Sequence, residues 1–134
     1  MESKQIILVR KDLKMDLGKC LAQVSHASGM WMATKLKKCS SELRIPSLSE
    51  EQDSWISGSY TKVCLAVNSE EELKELHQKA LDAGLESYFI VDEGRTAFNG
   101  VATPTCCGIG PADGEKINKI TGQLKLYKEN KNEN

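Results

Sequence analysis

A chain of 134 residues is the size of one domain, and at that length about two-thirds of the unfolded surface is buried without help from staples. Hydrophobic residues at 40% and charged residues at 28% exclude disorder, collagen and coiled coil as the main state. The formal net charge of −1 is unevenly spread: residues 1–46 carry +5, residues 47–93 carry −8 and residues 94–134 carry +2. If the two basic ends meet in the fold they form a face suited to a polyanion such as RNA; the alternative is ordinary solvated surface. Short apolar runs such as Ile6-Ile7-Leu8-Val9 fall far below the roughly 18 residues that span a bilayer. No membrane partner is expected. The opening Met1-Glu2-Ser3-Lys4 has no secretory pattern, so a cytoplasmic location is expected. Five cysteines without C-x-x-C spacing, and two histidines, argue against a disulfide framework and against a metal site.

Gln5 to Val9 reads as a buried strand. After a polar turn, Asp16 can cap a long amphipathic helix over 17–38, with Leu17, Leu21, Val24, Ala27/Ser28 and Trp31 as its apolar stripe. Pro46 breaks the chain. Ser49-Glu50-Glu51-Gln52 is a capping pattern that opens a short helix through about Ser57, before Gly58. Thr61 to Val67 is a second strand. Ser69-Glu70-Glu71-Glu72 caps a further helix that Gly84 ends. Leu85 to Val91 is a third strand. Asp92 to Pro104, about thirteen residues without a period, is a long loop of the kind that carries function or moves. Thr105 to Ile109 is a fourth strand. Gly108-Ile109-Gly110-Pro111 then reads as a tight turn into a helix from Pro111 to about Thr121, and residues 129–134 form a polar tail.

The order β-α-α-β-α-β-β-α predicts a single three-layer α/β domain over residues 1–128, a mixed four-stranded sheet with helices on both faces. The helical crossovers imply parallel, right-handed pairing among the first three strands, and the fourth can return antiparallel. Ligands bind beyond the carboxyl ends of parallel strands. That edge gathers the segments after Val9 and after Val91, together with the start of the strand at Thr105.

Lys19 stands in the first helical turn, where the helix dipole repels a cation. It is either a surface lysine lying over Leu13 or Met15, or an anion binder. Gln23 follows one turn later on the same face. Asp92 ends the third strand as a turn residue or as a carboxylate that holds a water. Thr96 and Thr105 can both approach it. His26 reads as a partly buried core histidine or as a hydrogen-bond partner behind the site. His77 reads as surface, and Cys106 and Cys107 as small buried hydrophobes.

With these residues assembled, the chain resembles the archaeal and eukaryotic type (class II) of peptidyl-tRNA hydrolase along nearly its whole length. The resemblance rests on Leu8-Val9-Arg10-Lys11-Asp12-Leu13-Lys14-Met15, Gly18-Lys19 with Ala22-Gln23-Val24-Ser25-His26-Ala27, and Trp55, Gly58 and Lys62-Val63. It continues through Asp92-Glu93-Gly94-Arg95-Thr96, Thr105 with Gly108-Ile109-Gly110-Pro111, and Thr121-Gly122 with Leu124-Lys125-Leu126-Tyr127. It implies hydrolysis of the ester between a peptide's C-terminus and the terminal ribose of tRNA, without cofactor or metal. The implied catalytic residues are Lys19, Gln23, Asp92, Thr96 and Thr105, and Lys11, Lys14 and Arg95 would meet tRNA phosphates. It also implies a homodimer, for which Met30, Trp31 and Met32 offer an apolar patch unless they are core. Glu93 stands where the family has a small residue and is expected to raise the pKa of Asp92. Cys106-Cys107 replaces the usual aliphatics, and the loop carrying Phe98 and Pro104 is about one residue longer. The competing readings are a non-catalytic RNA- or protein-binding module on the same fold and a small-ester or thioester hydrolase that acts without RNA.

Overall fold

The computed structural model describes residues 2–95 and 98–129. In chain order the elements are β1 (Ser3–Arg10), α1 (Leu17–Lys37), α2 (Glu50–Ser57), β2 (Lys62–Val67), α3 (Glu70–Asp82) and β3 (Ser87–Asp92). A single 3-10 turn (Phe98–Gly100), β4 (Thr103–Asp113) and α4 (Gly114–Thr121) complete them. This is the predicted α/β sequence of elements. The expected polar tail lies outside the described residues from position 130 onward.

The sheet order is β2-β1-β4-β3. β1 pairs with β2 in parallel, and β4 runs antiparallel to both β1 and β3. Parallel pairing among the first three strands therefore holds only for β1 and β2. β3 runs in their direction but pairs with β4 alone. Burial explains the difference. β4 is buried continuously from Thr105 to Pro111 and takes a central place, whereas β3 carries the exposed Val91 and sits at the edge.

Alternation along β1 divides the core in two. Ile6 and Leu8 pack with Leu73, Leu76 and Ala80 of α3 and Ile117 and Ile120 of α4. Ile7 and Val9 pack with Cys20 and Ala27 of α1, Ile90 and Cys106. α2 sits beside α1, with the Trp31 and Trp55 rings edge to face at 5.9 Å. Trp31 is thus core and offers no surface patch.

Helix boundaries follow their caps. Ser49 and Gln52 exchange both bonds of a capping box. The Ser69 hydroxyl accepts from the Glu72 N–H, while the Glu72 carboxylate reaches past it to the N–H of Asn68. Asp16 occupies the cap position of α1 without a side-chain cap bond. The expected turn at Gly108–Pro111 is absent. β4 continues through it because β1 extends back to Ser3 and offers Asp113 and Ala112 pairing partners, and Asp113 then caps α4. At Gly108 the backbone of α1 rides on the sheet: a Cβ there would lie 2.2 Å from the carbonyl oxygen of Ala27. The closing segment pairs Lys125–Tyr127 with Cys64–Ala66 and covers the outer edge of β2.

Candidate functional site

The carboxyl ends of β1 and β3 and the start of β4 share one edge of the sheet, as the strand directions require. The N-terminal turns of α1 lie over it. The inward stripe of α1 is Cys20, Gln23, Ala27 and Trp31. The expected stripe was rotated by about one position: Leu17 is 68% exposed and Leu21 is 57% exposed. The rotation brings Lys19 and Gln23 over the end of β3.

There the Lys19 Nζ lies 2.6 Å from Asp92 Oδ1, with the two side chains 21% and 12% exposed. Gln23 Nε2 donates to the same oxygen at 3.3 Å. The second oxygen, Oδ2, accepts the Gly94 N–H at 2.9 Å. Gly94 makes that bond at φ +81°, and a Cβ there would meet the Val101 carbonyl oxygen at 2.6 Å, so the turn requires glycine. Thr105, fully buried on β4, donates its hydroxyl to Gln23 Oε1 at 2.6 Å. Thr105 therefore reaches Asp92 through the Gln23 amide, which it fixes in orientation, and not by direct approach. Thr96 lies outside the described residues.

The Asp92 carboxyl is held below its ordinary pKa. The hydrogen bond from the Lys19 ammonium contributes most and outweighs the opposing effect of burial, with the Gly94 N–H and the Gln23 amide adding to it. Glu93 does not raise it as expected, because its carboxylate turns away to Arg95 at 2.8 Å.

Lys11 and Lys14 occupy the turn between β1 and α1, Lys14 exposed and Lys11 half-buried. Arg95 is exposed beside Glu93. His26 is exposed on the wall of the hollow next to Gln23. His77 is half-buried rather than fully solvated: its Nδ1 lies 2.6 Å from the Ser87 hydroxyl and its ring packs on Phe89. Burial pushes the Cys106 and Cys107 thiols up to about 12 and about 11, so neither is a nucleophile at neutral pH.

Two contributors escaped sequence reasoning. Arg10, buried at the end of β1, forks onto Asp12 at 3.1 and 2.7 Å and donates to the Pro104 carbonyl at 2.9 Å. It ties the Lys11–Lys14 turn to the residue before Thr105. Its signal was a cation placed directly after an apolar run, which reads equally well as a strand boundary. The Gly94 N–H carried no side-chain signal at all. Among the described residues no group of three or more His, Cys, Asp or Glu is placed to hold a metal ion.

An ammonium locked to an ionised carboxylate, buttressed by a buried amide and hydroxyl, is suited to water activation beside an oxyanion. Residues 3–127 match the profile of the peptidyl-tRNA hydrolase PTH2 family. The chain belongs to that family. Peptidyl-tRNA hydrolases are ester hydrolases that act on peptidyl-tRNA. The chain is 42% identical over 124 residues to the peptidyl-tRNA hydrolase of Methanothermobacter thermautotrophicus, covering 92% of this chain and 98% of that one. It is 40% identical over 124 residues to that of Sulfolobus acidocaldarius, with the same two coverages. The probable peptidyl-tRNA hydrolase 2 of Dictyostelium discoideum is 35% identical over 126 residues, which are 94% of this chain and 55% of the longer relative. Among the described residues, no helix is long and apolar enough to cross a membrane.

Proposed function

We propose that this PTH2-family chain cleaves peptidyl-tRNA at the Lys19–Asp92 pair, releasing the peptide and a reusable tRNA. The observation that carries the reading is the 2.6 Å contact between Lys19 and Asp92, braced by Gln23 and Thr105. Asp92 accepts a proton from a water whose oxygen adds to the ester carbonyl carbon. The carbonyl oxygen takes up negative charge facing the Lys19 ammonium. Collapse of the tetrahedral species expels the ribose oxygen, which recovers the proton from Asp92. A carboxylate with a depressed pKa is a weak base, so it orients the water as much as it deprotonates it. An ester, with its good leaving group, needs no more. Thr96, assigned to the site by resemblance, belongs in the same proposal as a hydroxyl that helps place the water.

Lys11, Lys14 and Arg95 meet tRNA phosphates in this reading, and the enzyme works in the cytoplasm, where translation supplies its substrate. The exposed Leu17 and Leu21 on α1 support pairing of two copies. The test is turnover of an N-acetylaminoacyl-tRNA by Asp92→Asn and Lys19→Ala. Loss of about 10²–10⁴-fold in the first and 10²–10³-fold in the second is expected, with tRNA binding kept. Full activity in both rejects the roles. Binding by the unaltered protein without release of free tRNA, at equimolar enzyme, favours the non-catalytic module.

A further inference from the structure

Lys19 stands on a ridge. On one side is a hollow of about 600 Å³ walled by Leu13, Lys14, Met15, Asp16, Ala22 and Phe98. On the other is a hollow of about 470 Å³ walled by Gln23, His26, Met30, Ile90 and Arg95. Lys19 lines both. We propose that the two hollows divide the substrate: the Phe98 hollow seats the 3′-terminal adenosine of the tRNA, and the Met30 hollow seats the side chain of the peptide's last residue. The assignment rests on the reading of Lys19 and Asp92 as the ester-cleaving pair. An ester whose carbonyl sits on a ridge must drop its alcohol half to one side and its acyl half to the other.

Three observations decide which half goes where. First, a purine needs an aromatic face to stack on. The Phe98 ring is half-buried at the mouth of its hollow, 6.0 Å from the Lys19 Nζ. Of the two rings on the opposite side, Phe89 is already engaged, packed on His77 at 5.2 Å, and His26 offers only the smaller face of an imidazole. Second, the nucleotide brings phosphate. Lys14 and Asp16 line the Phe98 hollow, and the turn that carries them, residues 10–16, holds Arg10, Lys11 and Lys14 against Asp12 and Asp16, a cation in excess. The charged groups that line the Met30 hollow balance, Lys19 with Asp92 and Arg95 with Glu93, and the exposed Arg95 is left to meet a phosphate outside the hollow. Third, Phe98 and Asn99 are held at φ +56° and +52°, a region that non-glycine side chains disfavour. Strain of that kind persists where a residue is presented for a purpose. Met30 and Ile90 supply the opposite character, an adaptable thioether and an aliphatic wall suited to apolar side chains of varied shape.

The experiment uses four tRNAs: N-acetyl-phenylalanyl and N-acetylglycyl forms, each ending in adenosine or in an abasic ribose. kcat/KM is measured for the unaltered enzyme, Phe98→Ala, Phe98→Tyr, Met30→Ala and Met30→Leu, with folding checked by thermal melting. Phe98→Ala is expected to lose about 5- to 100-fold on both adenosine-ended tRNAs and to change little on the abasic ones, and Phe98→Tyr to restore the rate. The unaltered enzyme is expected to prefer the phenylalanyl over the glycyl substrate. Met30→Ala should narrow that preference several-fold whatever the terminus, and the volume-conserving Met30→Leu should keep it. Equal losses for Phe98→Ala on adenosine-ended and abasic tRNA overturn the assignment, as does an acyl preference that is absent or indifferent to Met30→Ala. An unaltered enzyme inactive on all four tRNAs instead overturns the hydrolase reading beneath it.

Discussion

A carboxylate recruited to handle a water faces two demands at the scale of single residues. It must be ionised, and its charge must not be so well satisfied that it cannot attract a proton. Asp92 meets the first through Lys19, Gly94 and Gln23, whose hydrogen bonds hold its pKa below the ordinary carboxylate value despite partial burial. Its place beside the Lys19 ammonium tempers the second, since the cation that lowers its basicity is the one that faces the oxyanion in the proposed mechanism. The pH profile follows with a definite sign. A group with a lowered pKa keeps its active, ionised form down to that pKa, so the acid limb of kcat/KM should lie below the usual aspartate value of about 3.9. Replacing Lys19 by Gln removes the largest lowering influence and leaves burial, which raises the pKa. The residual activity of Lys19→Gln should therefore show its acid limb at higher pH than the unaltered enzyme. An unmoved limb would mean that Asp92 is not the group being titrated.

At the scale of elements, the site depends on how closely α1 rides on β4. Gly108 permits that approach, since a Cβ there would stand 2.2 Å from a backbone oxygen of Ala27, which cannot swing away. Gly108→Ala should push the helix outward. The overpacking cost, about 1–3 kcal/mol, should appear as a lower melting temperature. Lys19 and Gln23 would shift with the helix, so activity should fall even below the melting range. That contact also shows what the sequence disclosed and what it hid. The capping patterns at Ser49 and Ser69 and the stops at Gly84 and Gly122 are local chemistry: α2 and α3 begin where the pattern places them, α3 ends just before Gly84 and α4 ends at Gly122, though α4 begins later than its pattern suggests. Lys19, Gln23 and Asp92 were findable because helix spacing and strand ends are also local. The rotated stripe of α1, the edge position of β3 and the passage of β4 through Pro111 depend on partners far along the chain. Leu17 looked more buried than Gln23 because hydrophobicity alone does not register that a buried threonine, 82 positions away, waits to satisfy the amide. His77 is a case of the same kind, a histidine on an acidic helix whose partners Ser87 and Phe89 come from the next strand. Burial lowers its pKa in the fold. As pH falls through the unfolded value of about 6.5, the unfolded chain binds the proton first and the fold loses stability until the lower folded pKa is passed. His77→Gln should flatten that part of the stability-against-pH curve and leave stability above about pH 7 without a slope of this origin, measurable by denaturant titration across the range.

At the scale of the whole molecule, the uneven charge of the chain becomes a division of its surface. The excess acid of residues 47–93 is carried largely by α2 and α3, and α3 packs on the face of the sheet opposite α1. The turn holding Lys11 and Lys14 and the exposed Arg95 lie at the strand-end edge beside Asp92. A tRNA that brings its terminal ester to Lys19 meets these cations on the α1 side of that edge, while the acidic first turn of α3, with Glu70 3.8 Å from Arg10, stands at the same edge on the opposite face of the sheet, so the field orients the substrate before contact. Binding that neutralises phosphates releases counterions, and the logarithm of affinity falls with the logarithm of salt in proportion to the phosphates contacted. Lys11→Ala and Lys14→Ala should each weaken tRNA binding at low salt and reduce that slope by about one. Lys74 and Lys79, on α3 and already paired with Glu70 at 2.8 Å and Glu75 at 3.1 Å, are the control, and alanine at either should leave the slope unchanged. Arg95 separates charge from position. Its ion pair with Glu93 spends part of its charge, so Arg95→Ala should reduce the slope by less than Lys14→Ala does, and Glu93→Gln should tighten binding at low salt and steepen the slope. Equal effects from the α3 lysines and the Lys11–Lys14 turn would place the tRNA across the acidic face and refute this orientation.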